Sequence, residues 1–426
     1  MKSLRSWCGK FRVGRLGRNA VLGTSGLGFR AVLQAAYLVL LSRWLGSQGY
    51  GLFAGSVALM VLAAPLANWG SGLLLTRYIA RDRDRCPGMW ATALIQTGIT
   101  GGLLTIALML VSAFALHERV GVGAMLLLAL SELILLPAAQ AAASTCFALE
   151  NGRAAAAAVC LVPLGRVLAV LAMVVVGTAA TPTDASIGHF AGSLAGMTGT
   201  VILVAILGGW PQWRRRLPFV DAMRQGTAYA IGGLVGTSYL EVDKVLMLQL
   251  LGAAAVGPYT AGFRVVSVFA LPISALISAT LPRLMTQHAV PGDHNTYRAV
   301  VLAATGFGLL ASIIVAVIAP WVPYVFGPGY AATTRYVLLL APWPLLFALH
   351  QCVAANLTAT DRQTSRVLIE GAGLLFVIVL NLTFLQSSGP KTSALTLLLA
   401  EVAMALGCWA VAKHIDRRTG SRIGSS

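Results

Sequence analysis

Charge is scarce in this chain, and acidic charge is the scarcer sign. Only 11% of its 426 residues are charged, whereas a soluble domain carries about 25%. Acidic residues number 14 against 31 basic ones, leaving a formal net charge of +17. Paired carboxylates, the usual agents of general acid and base catalysis, are missing from the loops expected to face outside. Cysteine is sparse too. Cys8, Cys86, Cys146, Cys160, Cys352 and Cys408 show neither metal-ligand spacing nor a framework for disulfides, and the six histidines fall singly. The pattern therefore points to no metal and no cofactor. Long polar segments are also lacking, so no soluble domain fits between the apolar stretches.

What fills the chain is hydrocarbon. Hydrophobic residues make up 57%, mean hydropathy is +0.79, and runs of about 20 apolar residues, each able to cross a bilayer as a helix, recur throughout. The expected fold is an all-α polytopic membrane protein with about twelve spans: 19–41, 52–73, 90–114, 122–147, 155–178, 187–210, 227–249, 257–281, 298–320, 336–358, 366–386 and 393–413. The basic head before the first span resembles a signal-peptide n-region, but the run after it is too long for an h-region and leads directly into further spans. It reads as an uncleaved orientation signal, whose Trp7 and Phe11 are suited to lie on lipid headgroups.

The cations fix an orientation. With the N-terminus in the cytoplasm, inside segments hold 23 of the 31 basic residues, while outside loops hold only Arg43, Arg119, Arg335 and Lys391. The asymmetry places both termini in the cytoplasm. The cations are scattered over seven segments instead of gathered on one face, which excludes a nucleic-acid surface.

A weak internal repeat appears at an offset of 206 residues, where "LGSQGYGLFAG" matches "LGAAAVGPYTA": Leu45 with Leu251, Gly46 with Gly252, Gly51 with Gly257, Phe53 with Tyr259. Carried forward, Arg77 meets Arg283. Each copy runs from an odd span through a tight turn into an even one, which implies two pseudo-symmetric six-helix lobes. The expected organisation is a basic tail (1–18), an N-terminal lobe (19–210), a cytoplasmic linker (211–226), a C-terminal lobe (227–413) and a second tail (414–426).

Four basic residues fall within spans: Arg30, Arg166, Lys244 and Arg264. Insertion scales put each at a helix centre about 2.5–3.5 kcal/mol uphill, so each needs a compensating environment. Glu241 and Lys244 stand at i,i+3, and Arg366 and Glu370 at i,i+4, spacings that allow intrahelical pairs. Arg30, Arg166 and Arg264 have no acid at helical spacing. Two readings stand for them: guanidinium groups lining an anion-binding cavity, or side chains snorkelling to the interface. Asp243 lies about 200° around the helix from Glu241 and is left without a local partner. Asp243, Glu132 and Glu241 are the candidates for coupling to an ion or proton, and Glu370 and Glu401 complete the acids within spans.

The stretches "SRWLGSQGYGLFAG", "EVDKVLMLQLLGAAAVGPYTAGFR" and "TLPRL" resemble the polysaccharide transporter (Wzx-type) flippases of the multidrug/oligosaccharidyl-lipid/polysaccharide exporter superfamily. The resemblance implies two lobes around a cationic cavity that moves an undecaprenyl-pyrophosphate-linked oligosaccharide across the bacterial cytoplasmic (inner) membrane. Its partners would be that polyprenyl-linked substrate, membrane lipids and other polysaccharide-assembly proteins. Arg30, Arg166, Lys244 and Arg264 would hold the pyrophosphate. A multidrug exporter of the same superfamily is the nearest alternative, but the first span carries Arg30 and no acid for a cationic cargo. A membrane-embedded polymerase or glycosyltransferase is the other, but the outside loop around 322–335 has no Asp or Glu.

Overall fold

A chain in hydrocarbon must satisfy its backbone groups internally, and the computed structural model shows only helices, with no strand among the described residues. It describes residues 15–115, 120–287 and 295–423. The basic head with Trp7, Cys8 and Phe11, and Arg119, lie outside these residues.

Fourteen helices carry the architecture: α1 (Arg15–Asn68), α2 (Ser71–Arg81), α3 (Cys86–Ala115), α4 (Val122–Ala148), α5 (Gly152–Val176), α6 (Pro182–Gly208), α7 (Phe219–Leu251), α8 (Ala253–Ser267), α9 (Ala270–Gln287), α10 (Asn295–Ile318), α11 (Thr333–Leu340), α12 (Trp343–Ala359), α13 (Gln363–Ser388) and α14 (Lys391–Ile423). Ten helical segments are long and apolar enough to cross a membrane. One of them, Ser25–Arg81, contains two of the expected spans, separated by non-helical backbone at Gly46. Helix α7 is 33 residues long but stands outside the ten, because Asp221, Arg224, Glu241, Asp243 and Lys244 interrupt its apolar character. With the Gly46 break and α7 included, twelve spans result, as expected from the hydropathy.

The main packing pairs within each half are α1 with α5, α5 with α6, α13 with α14, and α12 with both α10 and α14. Helix α1 also lies along α7 and α8, joining the first half of the chain to the second. Small residues permit this approach, as they do wherever helices meet without water to drive them together.

The repeat has a direct structural counterpart. Gly46 (φ 67°, ψ 176°) breaks α1, and Gly252 (φ 82°, ψ 173°) separates α7 from α8. Positive φ is open to glycine without a Cβ penalty. Five residues beyond each break, the backbones cross. A Cβ on Gly51 would overlap the Ala253 carbonyl oxygen, and one on Gly257 would overlap the Ser47 carbonyl oxygen. Ser47 and Ala253 are themselves 206 residues apart, so the contact is reciprocal, as at a two-fold axis. Around it, the buried Tyr330 hydroxyl donates to the carbonyls of Ser42 and Gly46, each at 3.2 Å. Arg43 donates to Val325 O at 2.6 Å and Tyr324 O at 2.8 Å. The crossing thus joins α1 to α8 main chain to main chain.

Gly51→Ala and Gly257→Ala each force these backbones apart, an overpacking worth about 1–3 kcal/mol. Thermal unfolding of the purified protein should show both less stable than the parent chain. Gly102→Ala, with nothing within 4 Å of its new methyl, should unfold like the parent.

Candidate functional site

The site is a cavity of about 910 Å³ walled by α1, α4, α5, α6, α7 and α8, with Trp321, Val322, Val325 and Phe326 at one end. Its lining is mostly apolar, interrupted by Arg30, Glu132, Arg166, His189, Glu241 and Arg264. Three of the four basic residues singled out by sequence therefore meet on one wall system, drawn from both halves of the chain.

Glu132 owes its place to a local irregularity. Ser131–Leu135 forms a π-helical turn within α4, a feature that re-aims side chains and recurs at functional sites. Pro137 follows, lacking the N–H that would bond back to Leu133. On the other side, the Leu133 carbonyl packs so closely on Gly101 that no Cβ fits there. Glu132, only 2% exposed, receives Arg166 Nη2 and lies against His189 Nε2, both at 2.7 Å from Oε1. The Tyr37 hydroxyl meets His189 Nδ1 at 2.7 Å, and Phe53 sets its edge against the same ring at 5.5 Å. Arg166 Nε donates to Ser193 Oγ at 2.8 Å, and that hydroxyl donates to His189 O at 2.6 Å. Five side chains from four helices are held in one network.

The second half supplies a simpler pair. Arg264 grips Glu241 with both guanidinium nitrogens, Nη1 to Oε1 at 2.9 Å and Nη2 to Oε2 at 3.0 Å. Such a fork is the strongest ordinary ion-pair geometry. Arg30 lines the cavity with no ion pair or hydrogen bond among the described residues. Its electrostatic neighbours are Arg166 and Cys160. Three guanidinium groups thus face two carboxylates, leaving a positive excess in a low-dielectric space where charge is felt strongly.

Lys244 and Asp243 lie elsewhere. Neither belongs to the cavity wall, and both are buried within the second half. Lys244 Nζ sits 2.9 Å from Asp243 Oδ1, 3.7 Å from the centre of the Phe263 ring, and also donates to Leu240 O. Glu241 is 4.0 Å from it, so the i,i+3 pair forms loosely while Arg264 takes the closer place. Asp243, left without a partner by helical spacing, accepts from the Tyr259 hydroxyl at 2.5 Å as well as from Lys244. Arg366 and Glu370 pair at 2.7 Å as their i,i+4 spacing suggests. Arg166 and Arg264 find acids on other helices, which single-helix spacing cannot reveal. His189 is one of the histidines that fall singly, and nothing in the sequence connects it or Tyr37 with Glu132. The five described cysteines are free and buried.

Residues 16–288 match the family model described as polysaccharide biosynthesis protein. The chain belongs to that family. A search of curated proteins gives no significant match. Among solved structures, the chain is similar to lipid II flippase MurJ in an inward closed conformation, with a TM-score of 0.70, 12% identity, and coverage of 92% of this chain and 87% of that one. It is also similar to a multidrug resistance MATE-family transporter of the MOP superfamily facing inward, with a TM-score of 0.66, 15% identity, and coverage of 90% and 95%. A third is a MOP-superfamily transporter from Pyrococcus furiosus whose binding pocket is described as reversed in polarity, with a TM-score of 0.64, 14% identity and 95% coverage of each chain. These likenesses establish the MOP-transporter fold for this family member. The three neighbours named are a flippase and two transporters.

Removing Glu132 leaves the Arg166 guanidinium beside a half-emptied network. Glu132→Ala should lower stability by about 3–5 kcal/mol, the usual cost of orphaning a buried charge. The double variant Glu132→Ala, Arg166→Met should recover much of that loss, giving unfolding free energies that do not add when compared with Glu132→Ala and Arg166→Met alone in a double-mutant cycle.

Proposed function

We propose that this chain is a flippase translocating an undecaprenyl-pyrophosphate-linked oligosaccharide across the bacterial cytoplasmic membrane, for assembly of a surface polysaccharide such as O-antigen, capsule or exopolysaccharide. The observation that carries the reading is the excess of arginine over glutamate in a large cavity walled by helices from both halves. A diphosphate offers oxygens that guanidinium groups match bidentately. Arg30, which holds no carboxylate, is the first group free to receive it, and Arg166 and Arg264 become available as Glu132 and Glu241 yield. Lys244 is a contributor to field, not contact, because Asp243 and Phe263 enclose it.

In this reading, residues 19–210 and 227–413 are the two lobes, the linker and both tails are cytoplasmic, and access alternates as the lobes rock about the Gly51–Gly257 crossing. Family membership supports the glycan pathway, and the likeness to the lipid II flippase MurJ supports a lipid-linked cargo. A cavity with surplus positive charge disfavours organic cations, the cargo expected of a drug exporter.

Arg30→Ala should weaken binding of a polyprenyl diphosphate to the protein in nanodiscs by roughly tenfold or more, since a hydrogen bond to a charged group contributes about 1.5–3 kcal/mol. Surface glycan export should fall with it while protein level holds, and Arg30→Lys should retain part of both. Unchanged binding in Arg30→Ala, or tight binding of lipophilic cations to the parent chain, would overturn the assignment.

A further inference from the structure

A second polar cluster lies away from the cavity, deep in the C-terminal half. Its centre is His350 of α12, 2% exposed, with Nδ1 2.9 Å from Oε2 of Glu401 on α14. The other ring nitrogen, Nε2, lies 3.9 Å from Oε1 of Glu370 on α13. Glu401 is fully buried, and His350 is its only ion-pair partner among the described residues. The cations of the neighbourhood are engaged elsewhere. Arg366 holds Glu370 at 2.7 Å and donates to Thr358 at 3.1 Å and Gln351 at 3.4 Å, while Lys244 holds Asp243. From the other packed elements, α7 presents Tyr239 toward Glu401, with Asp243 beyond it, and α14 places Cys408 beside the imidazole. Arg335 on α11, Arg283 on α9 and Arg298 on α10 are exposed.

Neither neutral tautomer of His350 supplies the cation that Glu401 lacks. A proton on Nδ1 alone turns the Nε2 lone pair toward the Glu370 carboxylate, and a proton on Nε2 alone sets the other lone pair against Glu401. The Nε2 atom has no hydrogen-bond partner, nor does Oε1 of Glu401. A buried carboxylate without a cation is costly, and one added proton, on the imidazole or shared with Glu401, removes the conflict. The charge count agrees. Three buried acids of this half, Glu241, Asp243 and Glu401, and the half-buried Glu370 meet three permanent cations, Lys244, Arg264 and Arg366.

We propose that His350 and Glu401, with Glu370 facing them, form a proton-binding site that ties α12 to α14. With the proton bound, the three helices are held by complementary charge. On its release, an unpaired carboxylate remains between α12 and α14 and their packing loosens. The proton is the ligand, and the site lies outside the wall where substrate is proposed to bind.

The test is hydrogen–deuterium exchange of the full chain in nanodiscs from about pH 5 to about pH 8, where histidine changes charge, corrected for the chemical exchange rate at each pH. Protection of α12 and α14 should fall as pH rises, by up to about tenfold per pH unit for one linked proton. His350→Gln and Glu401→Gln should each flatten that slope. Helices α4 and α6, which report on the separate His189 network, should be unaffected by either substitution. Protection of α12 and α14 that is independent of pH in the parent chain, or a slope that persists in the substituted chains, would overturn the proposal. Should His350→Gln fail to fold, the parent slope and Glu401→Gln still decide it. No glycan or lipid carrier enters the measurement, so its outcome is independent of the proposed cargo.

Discussion

A charge placed in hydrocarbon must find its counter-charge in protein, and this requirement organises the interior. Glu132 meets Arg166, Glu241 meets Arg264, Asp243 meets Lys244 and Glu370 meets Arg366. Each of the first two pairs joins elements that are separate in sequence, so helix placement and charge neutralisation are the same event. Removing one member costs far more than removing both. The pairs also divide the labour of the molecule. Those on the cavity wall meet an open space where an incoming anion can compete for the guanidinium, whereas Lys244 and Asp243 are enclosed and serve the packing of α7 against α8.

The sequence makes the fold legible because the signal is redundant. Each span is long, apolar and bounded by cations or glycine, and several mistaken boundaries would still leave twelve helices. The exception is instructive. Helix α7 spans with five charged residues aboard because its interior ones are matched by Tyr259, Phe263 and Arg264 on α8. Hydropathy measures a segment against lipid, and α7 answers instead to its neighbour.

The site was legible by residue type and illegible by partner. Arg30, Arg166 and Arg264 stood out because arginine is rare in spans, and all three line the cavity. Helical spacing sees only one helix at a time, so it left Arg166, Arg264 and Asp243 unmatched. The π-helical turn that delivers Glu132 has a faint trace in Pro137, but its link to His189 and Tyr37 requires three helices to be placed together. The same holds for His350, whose two carboxylates come from the following helices.

The crossing of Gly51 and Gly257 differs from the ion pairs in what it is made of. It is made by main chain on both sides, with carbonyl oxygens where side chains would stand. Joining two surfaces through side chains freezes rotamers, at a cost of up to about 2 kcal/mol for each long one. Glycine has no rotamers to freeze. The two halves of this protein meet there without side-chain rotamers to freeze, so the proposed rocking of the lobes about this crossing carries no side-chain entropic cost.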